Sequence, residues 1–338
     1  MSQDVVLSVQ NLTVVFHTPD GDVVAVNDVS FDLRRGETLG IVGESGSGKS
    51  VTASSILRLN NSNTATTTGS IIVSGVDVLT AQDSEVRRIR GSEVAMIFQD
   101  PLSALNPYYT VGKQIAEAYL VHHPRASKAD ARGVTLDMLK KVGIPSPEKR
   151  IDEFPHQFSG GMRQRIVIAI ALINNPKVLI ADEPTTALDV TVQAQILDLM
   201  KDLQSEFNMA IVLITHDLGV IAETALDVLV MYGGRIVEKS TVEALFSEPT
   251  HPYSWGLLGA VTSLGTSDRG ELVAIAGSPP SLISLPAGCS FNPRCAYALD
   301  ICSAQVPLLR SVGTQGSVTA CHLPNNEILT FGRKAASR

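Results

Sequence analysis

Short apolar blocks, separated by glycine, proline and small polar residues, recur along the whole chain. At the start the pattern predicts strands over 5–9 and 12–16, a turn at Pro19-Asp20-Gly21-Asp22 and a further strand over 23–26, together a small antiparallel sheet. The blocks 38–42, 94–98, 178–181 and 211–215 are continuous apolar runs, which read as buried strands of an open α/β sheet. Helical patterns lie between them. Residues 51–57 and 163–173 suit helices, and Val192, Ile196, Leu199, Met200, Leu203 and Phe207 recur at the spacing of one buried helical face. The Ser/Thr/Asn-rich stretch 60–68 reads as loop, followed by a strand over 70–73 and a turn at Gly75-Val76-Asp77.

Two regions break this rhythm. Over 100–153, prolines at 101 and 107, helical stretches near 111–121 and 128–142, and the proline-rich 144–147 read as a helical insertion. From Pro249 onward the chain reads as an appendage. The expected division is a domain over 1–248, with a helical subdomain at about 100–160, and an appendage over 249–338. Composition fits this picture: with 338 residues, 44% hydrophobic and 18% charged, the chain is an ordinary globular protein of about two domains. The N-terminus Met1-Ser2-Gln3-Asp4 has no basic leader region, and the longest apolar run, 166–173, is too short to span a bilayer. The expected location is cytosolic, or at a membrane through partners. A net charge of -7 argues against a nucleic-acid partner, which a basic face would attract.

Gly43-Glu44-Ser45-Gly46-Ser47-Gly48-Lys49-Ser50 is a complete G-x-x-x-x-G-K-[ST] phosphate-binding loop, placed between an apolar strand and a helix as that chemistry requires. Its glycines let successive N–H groups and a helix N-terminus face an anion. Lys49 is expected to reach the β- and γ-phosphates of a nucleotide, and the Ser50 hydroxyl to ligate Mg2+. Gln99 ends the 94–98 strand, at the sheet edge where open α/β folds place ligand contacts. Ser159-Gly160-Gly161 opens a helix and offers a hydroxyl and uncovered N–H groups to a second phosphate, although serine and glycine also start helices for capping reasons alone. The 178–181 strand delivers two carboxylates. Asp182 fits a Mg2+ ligand, and Glu183 the general base that orients the attacking water. His216 ends the 211–215 strand at that same edge. Phe16 is placed to stack an adenine ring, with His17 as the other candidate and plain core packing as the alternative for the phenyl group.

In order and spacing these residues resemble the ATP-binding cassette (ABC) ATPases: phosphate loop, Gln99, Ser159-Gly160-Gly161, Asp182 with Glu183, Ala187-Leu188-Asp189, and His216. The signature differs from the commonest Leu-Ser-Gly-Gly-Gln at Phe158 and Met162, neither of which faces phosphate. Ala95-Met96-Ile97-Phe98-Gln99-Asp100-Pro101, Ala181 to Thr191, and His251-Pro252-Tyr253-Ser254 further resemble the oligopeptide/dipeptide permease ATPase subunits of bacterial importers, the D-type oligopeptide-permease subunits among them. The resemblance implies a P-loop NTPase of the ABC nucleotide-binding type, with a RecA-like core, an antiparallel β-subdomain, a helical subdomain, and a C-terminal cysteine-bearing appendage. It further implies ATP and Mg2+ as ligands, with Gln99 sensing Mg2+ and water, His216 contacting the γ-phosphate, and Asp189 communicating across a dimer. Two ATPase subunits, usually different chains, would sandwich ATP between the phosphate loop of one and Ser159-Gly160-Gly161 of the other. The implied partners are two transmembrane permease subunits and an extracytoplasmic peptide-binding protein. The implied place is the cytoplasmic face of the bacterial inner membrane, as a peripheral subunit. Importers of nickel or another small solute, and soluble ABC proteins acting on nucleic acid or ribosomes, are the alternatives.

All four cysteines, Cys289, Cys295, Cys302 and Cys321, fall in the last 50 residues. The spacing C-x5-C-x6-C-x18-C lacks the tight C-x2-4-C turns of most zinc sites. A [4Fe-4S] cluster held by the four thiolates is the favoured reading, with Zn2+ or free buried thiols as alternatives. Similar tails in peptide-permease ATPases support the cluster.

Overall fold

The computed structural model describes residues 4–100, 104–186, 188–262, 275–313 and 316–337. Its chain is both α and β, and falls into two compact units that interleave in sequence. The first comprises 1–8, 32–37 and 72–212; the second comprises 9–31, 38–71 and 213–338.

In the first unit, the Val94–Ile97 strand pairs in parallel with Val178–Asp182, in the register Val94 to Val178 and Ile97 to Ala181. Every residue of Val178–Asp182 is buried. The continuous apolar run Val178 to Ala181 is what a sheet covered on both faces demands, and it delivers buried Asp182 at its end. The helical insertion is present. Val111–His122 starts at Thr110, whose hydroxyl accepts from the Lys113 N–H. Lys128–Lys141 starts in a capping box in which Ser127 and Asp130 satisfy each other's backbone N–H groups. Gly160–Leu172 and Val190–Phe207 follow, capped by Ser159 and Asp189.

In the second unit the strand order is Arg310–Ser311, Val318–Thr319, Arg235–Thr241, Asp227–Tyr232, Thr38–Val42. Thr38–Val42 runs parallel to Asp227–Tyr232, with Val42 opposite Val230. The C-terminal region is woven into this sheet. Val318–Thr319 pairs antiparallel with Arg235–Thr241, and the Ala320 N–H donates to the Val237 carbonyl at 2.8 Å. Trp255, Val312, Cys321, Leu323 and Ile328 then form one buried cluster, against which Phe331 of the Asn325–Ala336 helix packs.

The N-terminal hairpin differs from expectation. Two strands of fourteen residues, Val5–Thr18 and Gly21–Arg34, replace three short ones. The reason is a paired kink: Asn11 and Asp28 both take left-handed backbone, with φ of 50° and 60°, and the Asn11 amide donates to the Asp28 carboxylate at 2.8 Å. Each kink inserts one residue, so the buried set shifts from Leu7 and Val9 to Leu12 and Val14, and from Val26 to Val29, Phe31 and Leu33. The break in alternation is a kink inside one continuous strand, not a strand end. Likewise the expected loop over 60–68 ends early, because Ala65–Val73 is one strand, and Val76–Asp77 pairs with its end rather than forming the turn alone.

Candidate functional site

The phosphate loop belongs to the second unit. Thr38–Val42 ends at Gly43, and Lys49–Ile56 begins after Gly48. Gly43 has φ 153°, and a Cβ there would stand 2.3 Å from the Met231 carbonyl oxygen; at Gly48, with φ 102°, it would stand 2.5 Å from that of Ala25. Neither position admits a side chain. Lys49 is buried, and its amine donates to the carbonyls of Gly43 at 2.7 Å and Glu44 at 2.9 Å. The ammonium therefore closes over the loop that is to receive phosphate. Ser45, Gly46 and Ser50 are exposed, while Ser47 is buried. In the same unit Phe16 is half-buried in its strand. His17 is tied down by Asp22 and Thr66, each at 2.8 Å from a ring nitrogen. Exposed His216 follows the Ala210–Ile214 strand by two residues, just ahead of Asp217, whose carboxylate caps Leu218–Thr224.

The first unit assembles the second set. The parallel register that sets Ile97 beside Ala181 brings Gln99 beside Glu183, and the Gln99 side-chain amide donates to Glu183 Oε2 at 3.1 Å. That oxygen also accepts the Thr186 hydroxyl at 2.9 Å. Glu183 holds φ 48°, an unusual conformation for a non-glycine residue. The turn that follows is fixed by the Thr186 N–H donating to the Glu183 carbonyl. Asp182, one residue earlier, is buried. Ser159 accepts from the Met162 N–H and caps its helix. A Cβ on Gly161 would lie 2.6 Å from Val192 Cγ1, so the signature helix rests directly on the first turn of Val190–Phe207. Asp189 caps that second helix through the Val192 N–H at 3.0 Å. Pro101 and Ala187, parts of the motifs read from sequence, lie outside the described residues.

The four thiols are free. Cys302 and Cys321 are buried, and Cys289 and Cys295 half-buried. Burial pushes Cys321 up to about 11 and Cys295 up to about 12, with the charges of the other thiols adding to the rise. Backbone N–H groups of Phe291 and Asn292 near Cys289, of Tyr297 near Cys295 and of Leu323 near Cys321 pull the other way. The expected iron-sulfur ligand set is nonetheless not assembled: among the described residues no group of three or more His, Cys, Asp or Glu is gathered to hold a metal ion. Sharing a neighbourhood is less than converging on one point. Among the described residues, too, no helix is long and apolar enough to cross a membrane.

Two partners of the phosphate loop are not marked by its own motif: Arg294, from the 3-10 turn Asn292–Arg294, forms a two-pronged ion pair with Glu44, and the Tyr253 hydroxyl accepts the Glu44 N–H. Within the first unit, Thr186 steadies Glu183. The available signal was the acidic residue inside a phosphate loop, which calls for a cation without saying where in the chain it lies.

Residues 26–186 match the ABC transporter family, and residues 237–302 match the oligopeptide/dipeptide transporter C-terminal region. The oligopeptide transport ATP-binding protein OppD of Salmonella typhimurium is 50% identical over 326 residues, 96% of each chain. The dipeptide transport ATP-binding protein DppD of Lactococcus lactis is 53% identical over 302 residues, 89% of this chain and 86% of that one. Among solved structures, the dimeric ATP-binding cassette MJ0796 bound to ADP and Pi superposes with a TM-score of 0.62 at 27% identity, covering 70% of this chain and 98% of the other. By these matches the chain belongs to the ABC-type ATPases of the oligopeptide/dipeptide transport ATP-binding family.

Proposed function

We propose that this ATPase powers the import of oligopeptides or dipeptides as one subunit of a membrane transporter. The observation that carries the reading is 50% identity over 326 residues, 96% of the chain, to an ATP-binding protein of oligopeptide transport. The ATPase chemistry follows from the residues. Loop N–H groups and Lys49 bind the triphosphate, with Phe16 against the adenine. Ser50, Asp182 and Gln99 would hold Mg2+, which neutralises charge on the β- and γ-oxygens when bound. Glu183 takes the proton of the attacking water as its oxygen bonds to the γ-phosphorus and the bond to the β-phosphate oxygen breaks. His216 meets the γ-phosphate. Ser159, Gly160 and Gly161 present their N–H groups to the nucleotide on a second ATPase subunit, a different chain in a heterodimer, and Asp189 relays its state.

In this reading residues 1–248 are the ATPase domain and 249–338 the C-terminal appendage. The helical insertion docks on two permease subunits at the cytoplasmic face of the membrane, and a peptide-binding protein delivers cargo from the other side. Its exposed Tyr108, Tyr109 and Val121 supply apolar contacts. Among the described residues the four free thiols are not gathered into a metal-binding group, and iron, sulfide and zinc content of anaerobically purified protein tests whether the tail carries a cluster, zinc or free thiols. For transport, the test is co-expression with the permease subunits in vesicles containing the peptide-binding protein. Peptide-stimulated ATP hydrolysis is expected. Stimulation by nickel instead of peptide, or copurification with ribosomes instead of permease, would overturn the import reading.

A further inference from the structure

Glu44 is the second residue of the phosphate loop, and each of its polar groups is held. Its N–H donates to the Tyr253 hydroxyl at 2.8 Å, its carbonyl accepts from the Lys49 amine at 2.9 Å, and its carboxylate takes Arg294 Nη1 at 2.5 Å and Nη2 at 3.1 Å. Arg294 comes from the tail, 250 residues away, between Cys289 and Cys295. Its side chain is only 5% exposed. The remaining donor capacity is used as well: Nε donates to the Ala276 carbonyl at 2.9 Å and Nη1 to the Tyr232 hydroxyl at 3.3 Å. Tyr232 itself is wedged between Tyr253 and Phe291, with ring centroids at 4.7 and 5.2 Å. The guanidinium is thus fixed before any nucleotide arrives.

A carboxylate in this loop is a liability, because the ligand to be bound is a polyanion and like charges repel strongly where water is excluded. A buried, two-pronged arginine cancels that charge and fixes the side chain's direction. We propose that Arg294 is a positioning residue for ATP binding: the tail holds Glu44 paired and turned away, so that the triphosphate meets loop N–H groups and Lys49 instead of a free carboxylate. The tail thereby acts on affinity for ATP. This deepens the ATPase reading, resting on the phosphate loop as the nucleotide site.

The experiment uses the full chain, with ATP–Mg2+ binding by calorimetry and steady-state ATPase on wild type, R294M and E44Q/R294M. R294M, which leaves Glu44 charged and unpaired, is expected to weaken ATP binding about tenfold, raising KM more than it lowers kcat. E44Q/R294M, with no carboxylate left to repel phosphate, is expected to return to within about threefold of wild type. A loss caused merely by damaged packing would not be rescued by removing a second contact. R294M binding ATP as tightly as wild type, or a double variant no tighter than R294M, overturns the proposal. If R294M does not fold, R294K carries the same comparison: about threefold weaker binding restored by E44Q supports it, and unchanged binding overturns it. Wild-type protein that binds no ATP at all would instead remove the ATPase reading itself.

Discussion

Glu183 stands in left-handed backbone, which costs a non-glycine residue roughly 1 kcal/mol or more, and it is kept there by Thr186 and Gln99. Such strain is retained where a side chain must be aimed, here at the end of the Val178–Asp182 strand. Glu183→Gln keeps the size and both neighbours while removing the base. ATP binding is expected to persist while turnover falls on the order of 10²- to 10⁴-fold, read by single-turnover hydrolysis; wild-type turnover would exclude Glu183 as the base. A second residue-scale effect lies at His251. Burial drives its imidazole down to about 3, and the neutral ring accepts the Tyr253 N–H at Nδ1, 3.1 Å away. The unfolded chain takes up that proton from about pH 6.5, so His251 removes stability as pH falls from 6.5 toward 3, by about 1.4 kcal/mol per pH unit. Buried Glu238, which accepts the His251 and Thr250 N–H groups, is raised by burial and contributes with the opposite sign. Comparing urea melts of wild type and His251→Gln at matched pH isolates the imidazole: the acid-side slope should flatten in the variant.

Among elements, the contact between two helix starts sets the signature. Gly160–Leu172 can rest on Val190–Phe207 only because Gly161 has no side chain, and Val192 is β-branched, hence stiff within its helix. Gly161→Ala should therefore cost about 1–3 kcal/mol through overpacking, and Gly161→Ala/Val192→Ala should recover most of it in thermal melts. An unchanged melting temperature in the single variant would show that the helices separate easily. Elements of this kind were the most readable in the sequence. The apolar runs mark the buried strands, because a strand covered on both faces needs no alternation, whereas the capping roles of Thr110, Ser127 and Asp189 emerge only from the structure. The N-terminal hairpin departs from its pattern because Asn11 and Asp28 each shift the alternation by one, and a kink and a strand end look alike until the cross-strand partner is known. Of the candidate site, each motif was readable by its own local chemistry. Arg294 and Tyr253 were not, since nothing near residue 44 in the sequence says which distant side chain completes it.

For the whole molecule, the question is whether the tail is an addition to a self-sufficient cassette. The cassette MJ0796 covers 70% of this chain, so an ABC fold of that size exists without such a tail. Here, however, the Arg235–Thr241 strand has Val318–Thr319 along its edge, and Thr319 is fully buried, bonding through its hydroxyl to the carbonyls of Val237 and Thr250. Glu238 lies in that same strand, wholly buried, with its carboxylate satisfied by N–H groups of Thr250 and His251. Ending the chain at 248 strips all of these partners together. It leaves a carboxylate without its hydrogen bonds, an uncovered strand edge, and apolar surface that Tyr253 and the Trp255 cluster would have covered. An unpaired edge beside exposed apolar surface favours aggregation, and loss of a buried group's partners costs several kcal/mol. Residues 1–248 expressed alone are accordingly expected to be insoluble or to melt well below the full chain. Adding Glu238→Val to the truncated form should recover part of the loss, because the stranded carboxylate is then gone. A soluble truncated form with the full chain's melting temperature and ATP affinity would mean that the tail covers the cassette without supporting it, and would argue against Arg294 as well.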